Sequence, residues 1–192
     1  MAVLLTACLP ASATWDVALS AAAYLLPEEE NFVQPTLRGD RGALHLEARY
    51  NYEDRHTMSL FCGANFGWGD ETTLSLTPML GAVVGDTDGI VPALEATFAA
   101  GGFEAYAETE YVFDLDDSTS SYFYAWSELS FRPSERWRAG LVGQRTRVYR
   151  TDRDVQRGLL LGLSFRGLEG TVYVFNPTGD DTFTVVSLGL SF

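Results

Sequence analysis

The sequence predicts an all-β protein: a closed antiparallel up-and-down β-barrel of about twelve strands with short turns. Three observations predict it. Apolar residues recur at every second position through nearly the whole chain, the period of a strand with one apolar face. The alternating runs are about ten residues long, the length of a tilted strand that crosses a bilayer. They follow one another through short turn-type connections such as "GDRG", "GDTDG" and "NPTGDD". No run has a helical period, and no linker divides the chain, so a single domain is expected.

Taken in order, Trp15, Val17, Leu19, Ala21, Ala23 and Leu25 share the first apolar face, which "PEEEN" ends. Val33, Pro35 and Leu37 form the second, up to "GDRG". Leu44, Leu46, Ala48, Tyr50 and Tyr52 form the third, with His45, Glu47, Arg49 and Asn51 opposite. After "EDRH" comes a fourth from Met58 to Trp68, and after "GDE" a fifth from Leu74 to Val84. Leu94, Ala96 and Phe98 lead to "AAGG". The run from Phe103 to Phe113 alternates with Glu104, Tyr106, Glu108 and Glu110. Beyond "DDSTSS", Phe123, Ala125, Leu129 and Phe131 alternate with Tyr124, Trp126, Glu128 and Arg132. Trp137, Ala139 and Leu141 oppose Arg138, Val142 and Gln144. Leu159 to Phe165 follow, then Val172 and Val174 against Thr171 and Tyr173. The final "SLGLSF" places Leu188, Leu190 and Phe192 on one face.

Composition excludes several function classes. The net charge is −13, which argues against nucleic acid as a partner, since that needs a basic face. No stretch approaches the roughly 18 consecutive apolar residues of a transmembrane helix. No metal-ligand cluster, phosphate loop or cofactor motif appears. Every basic residue is Arg, with no Lys, and Arg is the side chain that binds phosphate bidentately. The start, "MAVLLTACLPASATW", carries a short apolar run and then Ala11-Ser12-Ala13, an A-x-A cleavage pattern. Residues 1–13 are therefore expected to be a cleaved export signal, shortened at its front, and residues 14–192 the barrel. "LTAC" also matches a lipoprotein box, which would place a lipid on Cys8 instead. Either way Cys62 is the only other cysteine, so the mature chain has no internal disulfide.

Alternation alone does not say which face is inside. In a soluble barrel the apolar face points in. Here the polar face is crowded with charge, and no helices are available to cover the apolar one. Aromatics also sort to strand ends on the apolar face. Trp15, Phe66, Trp68, Phe98, Phe103, Phe131, Trp137, Phe165 and Phe192 fall at one end, and Tyr50, Tyr52, Tyr111, Phe113, Phe123 and Tyr149 at the other. Two aromatic girdles are what a transmembrane barrel places at its two interfaces. With these features the chain, from Trp15 to Phe192, resembles the porin-like β-barrel proteins of the outer membrane of Gram-negative bacteria. The resemblance implies that location. It also implies that Leu188, Leu190 and Phe192 form a terminal signal read by the barrel-assembly machinery.

An inverted barrel of this size leaves a lumen lined by the polar face: Glu47, Arg49, Glu95, Glu104, Glu108, Glu110, Trp126, Glu128 and Arg138. Rings of carboxylates select cations. The expectation is a narrow, hydrated, porin-like channel for small cationic or neutral solutes, its acidic wall kept apart by water or ions. The alternatives are a closed structural or lipid-binding barrel, and an outer-membrane hydrolase built on His56 beside Asp54. No catalytic residue is assigned, and the connections look too short for any loop to fold inside as a plug. On the apolar face near the far rim, Arg145, Arg147 and Arg157 are candidates to contact the phosphates of outer-membrane lipids, lipopolysaccharide among them.

Overall fold

The computed structural model describes residues 14–27, 29–148, 154–179 and 181–192; the expected export segment with Cys8, and Tyr149, lie outside them. Thirteen strand segments follow one another: β1 (Asp16–Leu25), β2 (Phe32–Arg41), β3 (Leu44–Tyr50), β4 (Met58–Ala64), β5 (Phe66–Trp68), β6 (Thr72–Val84), β7 (Gly89–Ala100), β8 (Phe103–Asp114), β9 (Tyr122–Ser134), β10 (Trp137–Val148), β11 (Asp154–Phe165), β12 (Leu168–Phe175) and β13 (Phe183–Ser191). Each pairs antiparallel with its neighbours. Both β4 and β5 pair with β6, so they are two pieces of one barrel strand, interrupted at Asn65. The result is twelve barrel strands. The barrel closes where β1 meets β13, in register from Ala18↔Ser191 to Leu25↔Thr184. The Phe192 N–H donates to the Val17 carbonyl at 2.9 Å and extends that seam. Closure leaves every backbone donor and acceptor of the seam paired, which open sheet edges in lipid would not.

Local sequence explains the hairpins. Gly101 and Gly102, between Ala100 and Phe103, have φ of 56° and 85°. Arg166 and Gly167, between Phe165 and Leu168, have φ of 51° and 81°. Two successive positive φ values make the turn whose twist matches a right-handed strand pair, and Gly tolerates them. These tight turns lie at the rim that holds both ends of the chain, here the terminal rim. Connections at the opposite, far rim are longer.

The apolar face points outward. Leu60, Leu80, Leu141 and Leu188 are each more than half exposed, whereas His45, Glu47, Arg49, Glu108 and Glu110 are buried inside. Of the expected girdle residues, Trp15, Phe98, Phe103, Phe131, Trp137 and Phe165 are exposed at the terminal rim, and Tyr50 and Phe113 at the far rim. Tyr52 is a correction. It was expected on the outer girdle with Tyr50, but β3 ends at Tyr50 and Asn51 turns through a φ of 57°, which breaks the two-residue period and sends Tyr52 into the lumen.

The interior also holds apolar clusters that the alternation did not reveal. One packs Phe61, Met79, Val83, Val91, Ala93 and Val112; the other packs Tyr24, Trp126, Val142, Leu160, Tyr173, Phe175, Phe183 and Val185. They occupy inward positions of strands whose outward positions are apolar as well, so those stretches read as continuous apolar runs. The Phe61 ring lies against Gly81 so closely that an added Cβ would sit 2.4 Å from it. Gly81→Ala is therefore expected to cost about 1–3 kcal/mol through overpacking. An unchanged urea midpoint in lipid vesicles would reject that packing.

Candidate functional site in the lumen

Arginines from one wall meet carboxylates from the other. Arg49, on β3, stands at the centre of the lumen. Its Nη2 lies 2.8 Å from Glu108 Oε1, and its Nε and Nη1 donate to Glu47 and Glu110. Glu53 lies 3.6 Å from Nη1. Two rings bracket the guanidinium, Tyr52 at 4.2 Å and Phe61 at 4.4 Å from the ring centroids. Glu108 and Glu110 belong to β8, so these bonds cross the barrel interior rather than run along one wall.

Arg38, on β2, forms a second bridge. Its Nε donates to Glu47 Oε2 at 3.0 Å and its Nη2 to Glu95 Oε1 at 2.7 Å. A third lies toward the terminal rim, where Arg138 Nη1 donates to Glu128 Oε2 at 2.6 Å and Nη2 lies 3.4 Å from Glu169. Trp126 Nε1 and Tyr173 Oη both donate to Glu128 Oε1 at 2.9 Å. Glu104 is held loosely, 3.7 Å from Arg132 and 4.0 Å from Arg138. The expectation that Glu95, Glu104, Glu108, Glu110 and Glu128 form an unpaired, mutually repelling wall is therefore corrected: Arg38 and Arg49 reach Glu95, Glu108 and Glu110 across the lumen, and Arg138 holds Glu128 from the adjacent strand. A buried carboxylate needs such a partner or a hydrogen-bond donor to remain charged.

Two cavities within the lumen share part of their lining. A cavity of about 840 Å³ opens at the terminal rim and runs past Arg138, Glu128, Trp126 and Arg38. A smaller one of about 200 Å³ lies beneath the far rim, beside Glu53, Glu110, Tyr122 and Gln144. Tyr24, Gln34, Tyr52 and Tyr124 border both and form the septum between them. Tyr52 and Tyr124 meet edge to face at 6.0 Å, and Tyr52 Oη donates to Glu108 at 2.8 Å.

One far-rim loop turns a side chain into the barrel. The connection between β3 and β4 folds Glu53 inward, where Ser59 Oγ donates to its Oε2 at 2.7 Å and Tyr122 Oη donates to its carbonyl. The sequence reading missed Glu53, Tyr52, Tyr24 and Arg38. Arg38 was legible by parity, since Leu37 faces outward; Glu53 and Tyr52 were not, because the turn at Asn51 shifts the period. His56, expected beside Asp54, instead places Nδ1 3.0 Å from Asp86 in the open, while Asp54 takes hydrogen bonds from Thr87 and the Arg55 N–H. The water-activating pair with Asp54 is not formed.

Outside the lumen, Arg145 and Arg157 occupy outward positions of β10 and β11, toward the far rim. Arg147 pairs with Phe123 in the β9–β10 ladder, and its side chain lies outside the described residues. Leu188, Leu190 and Phe192 are exposed on the outer face of the closing seam.

No family model matches the sequence, and no curated protein matches it. Solved structures do. The chain is similar to a KdgM porin (12% identity, 91% of this chain and 99% of that chain, TM-score 0.61). It is also similar to a KdgM porin in complex with disordered oligogalacturonate (12% identity, 92% and 99%, TM-score 0.59). A third is OccK7 (OpdD) of Pseudomonas aeruginosa (9% identity, 94% and 65%, TM-score 0.51). The chain has the fold of bacterial outer-membrane porin barrels. Its outward apolar band is the surface that such a barrel presents to lipid.

Proposed function

We propose that this chain works in the bacterial outer membrane as a narrow porin-like channel that favours small cationic or neutral solutes. The observation that carries the reading is the charge of the lumen. Glu47, Glu95, Glu104, Glu108, Glu110, Glu128 and Glu169 face inward against Arg38, Arg49, Arg132 and Arg138. Pairing leaves an excess of carboxylate, and an excess of one sign in a low-dielectric passage attracts the opposite ion. The wide cavity at the terminal rim supports the reading, and the tyrosine septum separates it from the far-side cavity. A polyacid such as the oligogalacturonate held by one similar porin carries the wrong charge for this lumen. The barrel-assembly machinery, acting through Leu188, Leu190 and Phe192, belongs to the same reading as the partner that inserts the chain.

Single-channel recording on refolded protein in a salt gradient tests it. Small steps with a cation-selective reversal potential are expected, fading as salt screens the wall. Glu104→Gln with Glu169→Gln is expected to reduce that selectivity and leave folding intact, because both carboxylates lie at least 3.4 Å from their arginines and neither neutralises a fully buried charge. Anion selectivity of the wild type would reject the proposal. The second reading, a closed structural barrel, is favoured by the cross-lumen Arg49 pairs, and electrical silence of well-folded protein would establish it.

A further inference from the structure

We propose that the outer face of β9, β10 and β11 near the far rim binds the phosphate of a phosphorylated saccharide lipid in the outer leaflet, between Arg145 and Arg157. The proposal rests on the outer-membrane placement but not on conduction. The ladders set the geometry. Arg145 stands opposite Ala125 on β9 and Val155 on β11, and Arg157 stands opposite Gly143. The two arginines are therefore diagonal neighbours on one face of adjacent strands, about 7–8 Å apart at the backbone, within joint reach of one phosphate.

What lies beside them is small. Ala125, Gly143 and Ser127 occupy the outward positions next to the arginines, and Ser127 Oγ donates to the Gly143 carbonyl at 3.3 Å. A side chain at Gly143 would press on Ser127, its Cβ only 3.2 Å from that hydroxyl. The wall is thus shallow there, flanked by two guanidiniums, with the apolar Leu141 and Leu159 below. That combination suits a charged headgroup with acyl chains beneath it.

Among the described residues, the ion pairs of the lumen do not extend to these two guanidiniums. Arg38, Arg49, Arg132 and Arg138 all lie within 4.0 Å of carboxylates in the lumen. Among the described residues no carboxylate pairs with Arg145 or Arg157. The Arg145 guanidinium lies 5.4 Å from the Phe123 ring centroid, which directs it toward the far aromatic belt, and its Nε is buried without a hydrogen-bond partner. An outward Arg is costly at the bilayer midplane and tolerated near an interface, where it can meet headgroups. In a chain of net charge −13, two cations side by side on the lipid face, without a carboxylate partner among the described residues, mark an anion site. Phosphate fits best, because guanidinium binds it through paired, charge-assisted hydrogen bonds.

The test uses the refolded full barrel in detergent, with fluorescent lipid A as the probe. Arg145→Gln with Arg157→Gln is expected to weaken binding at least about tenfold, or 1.4 kcal/mol. Heat-modifiable migration on gels reports whether the variant folds. If it does not, the wild type alone decides through dephosphorylated lipid A, which is expected to bind as weakly as the variant binds the intact lipid. Inorganic phosphate at the same concentration is expected not to displace the lipid. Unchanged binding by the folded variant, equal binding of the dephosphorylated lipid, or displacement by inorganic phosphate would each overturn the proposal, the last by showing a site for free phosphate.

Discussion

Replacing Arg49 with Met is expected to lower the stability of the barrel by about 3–5 kcal/mol, the usual cost of removing one partner from a buried ionic cluster. Glu47, Glu108 and Glu110 converge on this guanidinium, and Arg49, Glu47 and Glu110 are all less than 5% exposed. Without it the carboxylates repel one another in a space that water enters poorly. The measurement is the urea midpoint of refolded protein in lipid vesicles. Adding Glu108→Gln and Glu110→Gln to Arg49→Met is expected to restore much of the loss, because neutral amides hydrogen-bond where carboxylates repel. A variant as stable as the wild type would show that the cluster is open to water and contributes little. Failure of the two Gln changes to help would place the cost in lost stacking on Tyr52 and Phe61 instead.

Tyr24→Ala with Tyr124→Ala is expected to raise single-channel conductance several-fold. Both rings border the two cavities, so trimming them joins the terminal-side cavity to the far one. Tyr52 is spared in this variant because it supports Arg49 and donates to Glu108. Conductance equal to that of the wild type would mean that the limiting constriction lies elsewhere, with the Arg49 pairs as the remaining barrier. A rise in conductance without a change of selectivity would place the charge filter at Arg38, Glu95 and Glu47, which this variant leaves alone.

The fold was legible because a strand writes its two faces into alternate residues. Leu19 against Ser20, or Phe131 against Ser130, announces a sided strand whatever its neighbours are. Turn residues then place the hairpins, as Gly101–Gly102 does between β7 and β8. The parity that pointed Glu47, Arg49, Glu108 and Glu128 inward is equally local. It failed where the backbone departed from a strand, as at Asn51, and it said little where both faces are apolar, as at Leu159, Leu160 and Leu161.

By itself, then, the sequence determined an all-β chain of about twelve alternating strands, its charged face and its apolar face, and the aromatic belts that make lipid the natural solvent for the latter. Tertiary structure alone decided what happens inside. Whether Glu108 is a bare charge or the partner of Arg49 depends on which strands stand opposite across a closed barrel. These residues are 59 positions apart, and no local period encodes that distance. Closure of β1 on β13 sets the diameter, the diameter sets which side chains can touch, and contact turns an acidic wall into a paired network with a tyrosine septum.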